Sequence, residues 1–310
     1  MQRKKGILLI LFACLSPFLQ IKGQDTENLI QEFITAYQKG SVSSGLAGQI
    51  FNRDEKEVLS LLQKYHSDKN DRIREASWYL TAAIGRKTVH SDVRKDVLMQ
   101  LIQGCRDSNP WVASKNLAQL KNFNRSLFDA PAKKALEEIF RATANPPEDL
   151  IRIAGFAGCR NLIPDFKNRT IGRQEKNQQL QWVYYLALAR MDDREAIRYC
   201  MKRIRKLPVN DETIEDMFPD LIYMRRKEAF DYLLEVAMDR SSSCSSSNPD
   251  NEQAIPCTAK ILGMIAPYLA GFPVQDTAGF STLSSEETIA LVNNWMKEKY
   301  NADAILQDIY

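Results

Sequence analysis

The chain has 310 residues, 44% of them hydrophobic and 26% charged, which is enough apolar material for a buried core and too much for a disordered polymer. Thirteen glycines and twelve prolines exclude a collagen-like chain, and past the N-terminus no apolar run is long enough to span a bilayer. A formal net charge of +3 is the only compositional hint of nucleic acid.

Residues 1–23 read as a secretory signal peptide. Arg3, Lys4 and Lys5 precede the apolar run Ile7 to Ala13, and Ile21-Lys22-Gly23 offers a small residue before a cleavage ahead of Gln24. Pro17, Gln20 and Lys22 interrupt the segment before it reaches the length of an anchor. Leu11-Phe12-Ala13-Cys14 is similar to a bacterial lipobox, which would lipidate Cys14 and attach the protein to a membrane. Phe12 fits such a box badly, so plain export to the periplasm or the exterior is preferred. Removing residues 1–23 leaves 38 basic and 39 acidic side chains, and the positive charge disappears with the leader. No nucleic-acid partner is therefore expected. The remaining charge is uneven, with 4 basic and 11 acidic groups over residues 229–310.

From there the apolar residues recur at helical spacing. Leu29, Ile30, Phe33, Ile34 and Tyr37 form the first stripe, stopped at Gly40. Asp54 and Glu57 have capping-box spacing ahead of Val58, Leu61, Leu62 and Tyr65. Ile73, Ala76, Leu80, Ala83 and Ile84 run up to Gly85, and Val97, Leu98, Leu101 and Ile102 up to Gly104. Asn109-Pro110, Ala130-Pro131 and Asn145-Pro146 each open a helix, because proline is tolerated in a first turn that has no partner for its N–H.

The spacing predicts seven helical pairs: 26–39 with 54–66, 70–85 with 91–104, 108–121 with 129–141, 147–158 with 162–168, 174–191 with 193–206, 210–223 with 226–239, and 254–269 with 284–300. Residues 40–53 and 270–283 are left as insertions. In the helix over 174–191, Leu180, Val183, Tyr184, Ala187 and Leu188 face one way and Trp182, Tyr185 and Ala189 another, so it needs two neighbours.

A recurrence every 30 to 45 residues is the period of helical solenoids. Asp71-Arg72-Ile73-Arg74-Glu75-Ala76 with Ala82-Ala83-Ile84-Gly85 resembles the first helix of a HEAT repeat, and Asn109-Pro110-Trp111-Val112-Ala113 and Asp149-Leu150-Ile151-Arg152-Ile153-Ala154-Gly155 resemble the same element. The resemblance implies one all-α domain over residues 24–310, a right-handed alpha-alpha superhelix of about seven pairs. Small residues would let helices approach, and Ile73, Val112 and Ile151 would fill the space between repeats.

Five cysteines follow the leader. Cys244, in a serine tract, and Cys257, after Pro256, are the expected disulfide, whereas Cys105, Cys159 and Cys200 fall on or beside apolar stripes as small buried hydrophobes. The histidines His66 and His90 form no His-Glu pair of the kind on which HEAT-like iron hydroxylases depend. No Cys-x-x-Cys, Gly-x-Ser-x-Gly or phosphate-binding glycine loop occurs, so neither a metal, a cofactor nor an enzymatic centre is expected. The alkylpurine glycosylases, solenoid enzymes that act on DNA, would need roles for Trp111, Trp182, Arg152 and Asp149. Here both tryptophans are assigned to core stripes, and Asp149 to a first helical turn.

One surface feature stands out. Arg198, Lys202 and Arg205 follow one another on the polar side of a helix whose apolar side is Ile197, Met201 and Ile204, with Arg225 and Arg226 assigned to the same basic ridge. The ridge either meets an acidic polypeptide or pairs with Asp231 and Glu235 of the next second helix. The expected function is an exported, non-enzymatic scaffold that holds a protein partner along a curved surface. The alternative is an envelope enzyme or glycan-binding factor that uses clustered carboxylates of the acidic C-terminal region.

Overall fold

The computed structural model describes residues 16–170, 175–239, 241–245, 255–273 and 285–310. The basic and apolar parts of the expected leader, and Cys14 with them, lie outside the described residues. The fold is all-α. Its contacts divide the chain between Phe123 and Asn124 into two compact units.

Residues 1–123 hold α1 (Ser16–Gln38), α2 (Ser44–Phe51), α3 (Glu55–Leu62), α4 (Asp71–Lys87), α5 (Ser91–Gly104) and α6 (Pro110–Leu120). Helix α1 runs without a break across the expected cleavage point at Gly23. Local chemistry starts the others: Asp54 accepts the Glu57 N–H at 2.9 Å, Asn70 accepts from Arg72, and Asn109 accepts from Trp111 with Pro110 in the first turn. The segment 40–53, expected as an insertion, contains α2, which Ser43 caps by accepting the Leu46 N–H at 3.2 Å. Helix α1 packs on α4 and α4 on α6, while α3 packs on α5, so first helices lie beside first helices and second beside second. Gly85 lies inside α4 and does not end it. A Cβ there would come within 2.5 Å of Val97 and 2.9 Å of Phe123, so this glycine permits the close approach.

Residues 124–310 hold α7 (Ala130–Ala142), α8 (Glu148–Ala157), α9 (Ile163–Thr170), α10 (Gln178–Arg190), α11 (Arg194–Ile204), α12 (Asp211–Asp216), α13 (Phe218–Met224), α14 (Lys227–Met238), α15 (Thr258–Ile265) and α16 (Ser285–Glu298). The same order of packing recurs: α8 against α10, α10 against α13, and α11 against α14. Helix α10 is buried on both sides as its two stripes require, with Trp182, Val183, Tyr184, Leu186 and Leu188 in the core. The helix expected over 210–223 breaks at Met217, because Pro219 in the first turn of α13 has no N–H to donate.

The division falls inside the expected third pair, 108–121 with 129–141. Its physical reason is the last segment of the chain. The Asp308 carboxylate accepts from Asn124 Nδ2 at 2.9 Å, Ser126 N at 2.6 Å and Ser126 Oγ at 3.0 Å, and the Arg125 N–H donates to the Asp308 carbonyl at 2.8 Å. The linker is thereby tied to the unit that follows it.

The Cys244 and Cys257 sulfurs lie 2.08 Å apart with their Cα atoms at 5.1 Å, the spacing of a disulfide. Cys244 lies in β1 (Ser243–Cys244), and Cys257 directly follows β2 (Ile255–Pro256), its antiparallel partner. Cys105, Cys159 and Cys200 are buried free thiols, and burial pushes all three up from their ordinary range.

Candidate functional site

Helix α11 begins where Asp193 accepts the Ala196 N–H at 3.0 Å. Ala196, Ile197, Cys200, Met201 and Ile204 turn inward, and Arg198, Lys202 and Arg205 point to solvent, as the spacing requires. The ridge borders a cleft of about 630 Å³ between α11 and the start of α14. Ile197 and Met201 supply its apolar part, Arg194, Arg198 and Arg205 its cations, and Asp192 and Glu228 its acids.

The pairing ladder exists at a single rung. Arg205 reaches Glu235 at 3.5 Å, with both side chains about half exposed, and its guanidinium lies 4.9 Å over the Tyr232 ring. An exposed pair of this kind contributes at most about 1 kcal/mol. Asp231 is engaged elsewhere, by Lys227 at 2.7 Å and by the Tyr300 hydroxyl at 2.9 Å. Burial first, and then Asp231, push the Tyr300 phenol far above its ordinary range. Among the described residues, Arg194, Arg198 and Lys202 have no ion-pair or hydrogen-bond partner.

Arg225 does not belong to the ridge. It is 1% exposed and sits in a left-handed turn at φ +52°, which turns its side chain inward. Its Nε donates to the Leu306 carbonyl at 3.2 Å and its Nη2 to the Tyr310 carbonyl at 3.1 Å, with the Tyr268 ring 3.8 Å away. Burial pushes its guanidinium down to about 10. Arg226 is also structural: it donates to the Ala189 carbonyl at 2.9 Å and pairs with Asp192 at 3.0 Å. That second contact holds the acid at the cleft mouth, at φ +76°.

A buried arginine that periodicity did not single out, Arg190, donates to the Tyr223 carbonyl at 3.0 Å and the Gln307 carbonyl at 2.8 Å. Burial, and then Arg225, push it down to about 8. Arg190 and Arg225 together clamp residues 306–310, which lack helical period and so gave no signal in the sequence.

Other candidates resolve simply. His66 stacks on Trp78 with ring centres 3.5 Å apart and shares a 3.0 Å hydrogen bond with Thr81, so it is a partly buried structural histidine. Trp182 is buried as expected, but Trp111 is 59% exposed, which overturns its assignment to a core stripe. It follows Pro110 in the first turn of α6, where the inward position is taken by Val112. Arg152 pairs with Glu148 at 2.7 Å and Asp220 at 2.8 Å, and Arg74 grips Asp107 through two bonds of 2.7 and 2.8 Å. Arg74 and Arg152 thus serve as links to later parts of the chain. Lys260 of the acidic C-terminal region binds Asp211 and Glu215, which precede that region, both at 2.6 Å, and this holds the Asp211 carboxyl down at about 2.

No group of three or more His, Cys, Asp or Glu side chains among the described residues could hold a metal ion. No helix among them is long and apolar enough to cross a membrane. No family model, curated protein or solved structure matches this chain.

Proposed function

We propose that the chain is an exported, non-enzymatic scaffold of HEAT-like helical pairs that binds an acidic polypeptide at the α11 cleft. The observation that carries the reading is the pair of unpaired cations Arg194 and Arg198 lining the cleft with the apolar side chains of Ile197 and Met201. Unpaired guanidinium groups offer two-pronged donors to carboxylates. Met201 supplies an adaptable surface for the apolar side chains between those carboxylates. The stacking of first helices on first and second on second supports the repeat reading, since each pair buries its apolar face on its neighbours.

Export rests on the charged and apolar pattern of residues 1–23 and on a disulfide-spaced cysteine pair, which suits an oxidising compartment. The test is a pull-down with the full chain from a secreted or envelope fraction, in parallel with the Arg198→Glu, Lys202→Glu, Arg205→Glu triple variant. A polypeptide with an acidic stretch should be recovered by the wild type and depleted at least tenfold by the variant. Equal recovery by both removes the ridge from the account.

A further inference from the structure

We propose that Arg125 and Arg160 form a second anchor for the acidic polypeptide of the α11 cleft, so that one extended partner runs along the helix-end turns of residues 124–310. The partner's identity rests on the α11 reading, while the anchor stands on separate residues.

Helices α8, α10 and α13 pack in succession. Their C-terminal ends lie side by side, since the Arg190 guanidinium stands 5.4 Å over the Phe156 ring and donates to the Tyr223 carbonyl at 3.0 Å. The turn at each end holds a left-handed residue, Gly158 at φ +77°, Asp192 at +76° and Arg225 at +52°. Each turn also carries arginine. Cations at helix C-termini ordinarily satisfy the last carbonyls. Arg190, Arg225 and Arg226 do this, donating to the carbonyls of Tyr223, Ile222 and Ala189.

Arg125 and Arg160 do not. Among the described residues neither side chain has a hydrogen bond or an ion pair. Arg160 is exposed and Arg125 half-buried. A Cβ on Gly158 would come within 2.9 Å of Arg125 Nη2, so that guanidinium lies directly on the turn that carries Arg160. Burial, and then the charge of Arg160, push the Arg125 guanidinium down from its ordinary range. Asp308 attracts Arg125, but its carboxylate is already occupied by Asn124 and Ser126. Two neighbouring guanidinium groups without a carboxylate repel each other, and an incoming carboxylate relieves that repulsion while accepting their paired donors.

Arg226 connects the pair to the α11 cleft. It holds Asp192, which lines that cleft, at 3.0 Å. Burial lowers its guanidinium, Asp192 opposes that shift, and Arg125 and Arg160 both add to it, so all three arginines share one field. Because α8 packs on α10, the turns after them stand one helix spacing apart, ~8–10 Å. An extended chain covers that distance in about three residues. The partner that fits therefore carries a carboxylate for Arg125 and Arg160 a few residues from the apolar side chain received by Ile197 and Met201. A sulfated glycan supplies the charge without the apolar group.

The test is equilibrium binding of a fluorescent peptide of eight glutamate-leucine repeats to the full chain. Arg125→Gln combined with Arg160→Gln should weaken binding at least tenfold, and Arg160→Gln alone, at an exposed position, at least threefold. The thermal midpoint of the double variant should equal or exceed that of the wild type, because the change removes a repulsion; a structural arginine would lower it. The proposal is overturned if the double variant binds as the wild type does, or if its loss of binding comes with a lowered midpoint. It is also overturned if heparin hexasaccharide binds through these arginines in place of the peptide. The α11 reading fails separately: a triple reversal at Arg198, Lys202 and Arg205 without effect, beside a double variant that weakens binding, removes the ridge and keeps the pair. No binding of the peptide by the wild type overturns both.

Discussion

His66 shows how burial overrides a side chain's ordinary chemistry. Stacked on Trp78 and bonded to Thr81, it is pushed by desolvation down to about 4. The folded chain therefore keeps the ring neutral between pH 6.5 and 4, while the unfolded chain takes up a proton. Above pH 6.5 the group costs nothing, and as pH falls through that window stability is lost, by about 2 kcal/mol at pH 5. Thermal unfolding should show a steeper drop in Tm from pH 7 to pH 5 for the wild type than for His66→Phe. Equal slopes would place the titration elsewhere. The arginines give the complementary lesson. Spacing on α11 correctly put Arg198, Lys202 and Arg205 outward. It could not show that Arg225 occupies a left-handed turn, because a reversal of backbone direction leaves no period in the sequence.

Helix starts were legible at Asn70, Asn109 and Asp193, where a cap or a proline marks them. They were not where the signal is tertiary. Helix α2 is too short to show a period, and the break at Met217 depends on which side of Pro219 the chain resumes its turn. Segment 304–310 is held by clamps from α10, the α13–α14 turn and the 124–126 linker, none of which is near it in sequence. Close helix approach was readable from the small residues of the segments 82–85 and 154–155. A Cβ on Gly155 would come within 2.5 Å of the Tyr223 hydroxyl and 2.8 Å of the Ala187 Cα. Gly155→Ala would gain about 1 kcal/mol of helix propensity but lose about 1–3 kcal/mol to overpacking against backbone. Denaturant unfolding should therefore show a net loss, and a stabilised variant would mean that α8 and α10 are further apart. The Cys244 and Cys257 pair closes a loop of sequence separation 13. Cys244→Ser should cost ~3 kcal/mol, with the same loss on treating the wild type with reductant. A wild type indifferent to reductant would show that the two thiols are not joined.

For the whole molecule, the division of labour follows from its chemistry. The buried arginines Arg190 and Arg225 hold the chain's own last segment, and the unpaired cations Arg194 and Arg198 lie at a cleft on a helix surface. How far the α11 cleft could be read from sequence is clear: the exposed cations were visible as a helical face, but the cleft beside them depends on where α14 begins and on Arg226 holding Asp192. The outward position of Trp111 was not legible at all, since an outward tryptophan at a helix start has the same spacing as an inward one.

The most direct test of the central claim is equilibrium binding of a fluorescent peptide with alternating glutamate and leucine to the full chain across a series of sodium chloride concentrations. The account predicts saturable binding that weakens steadily with salt. The triple reversal at Arg198, Lys202 and Arg205 should weaken it at least tenfold at low salt. No binding, or an affinity that neither salt nor the triple reversal changes, would contradict it.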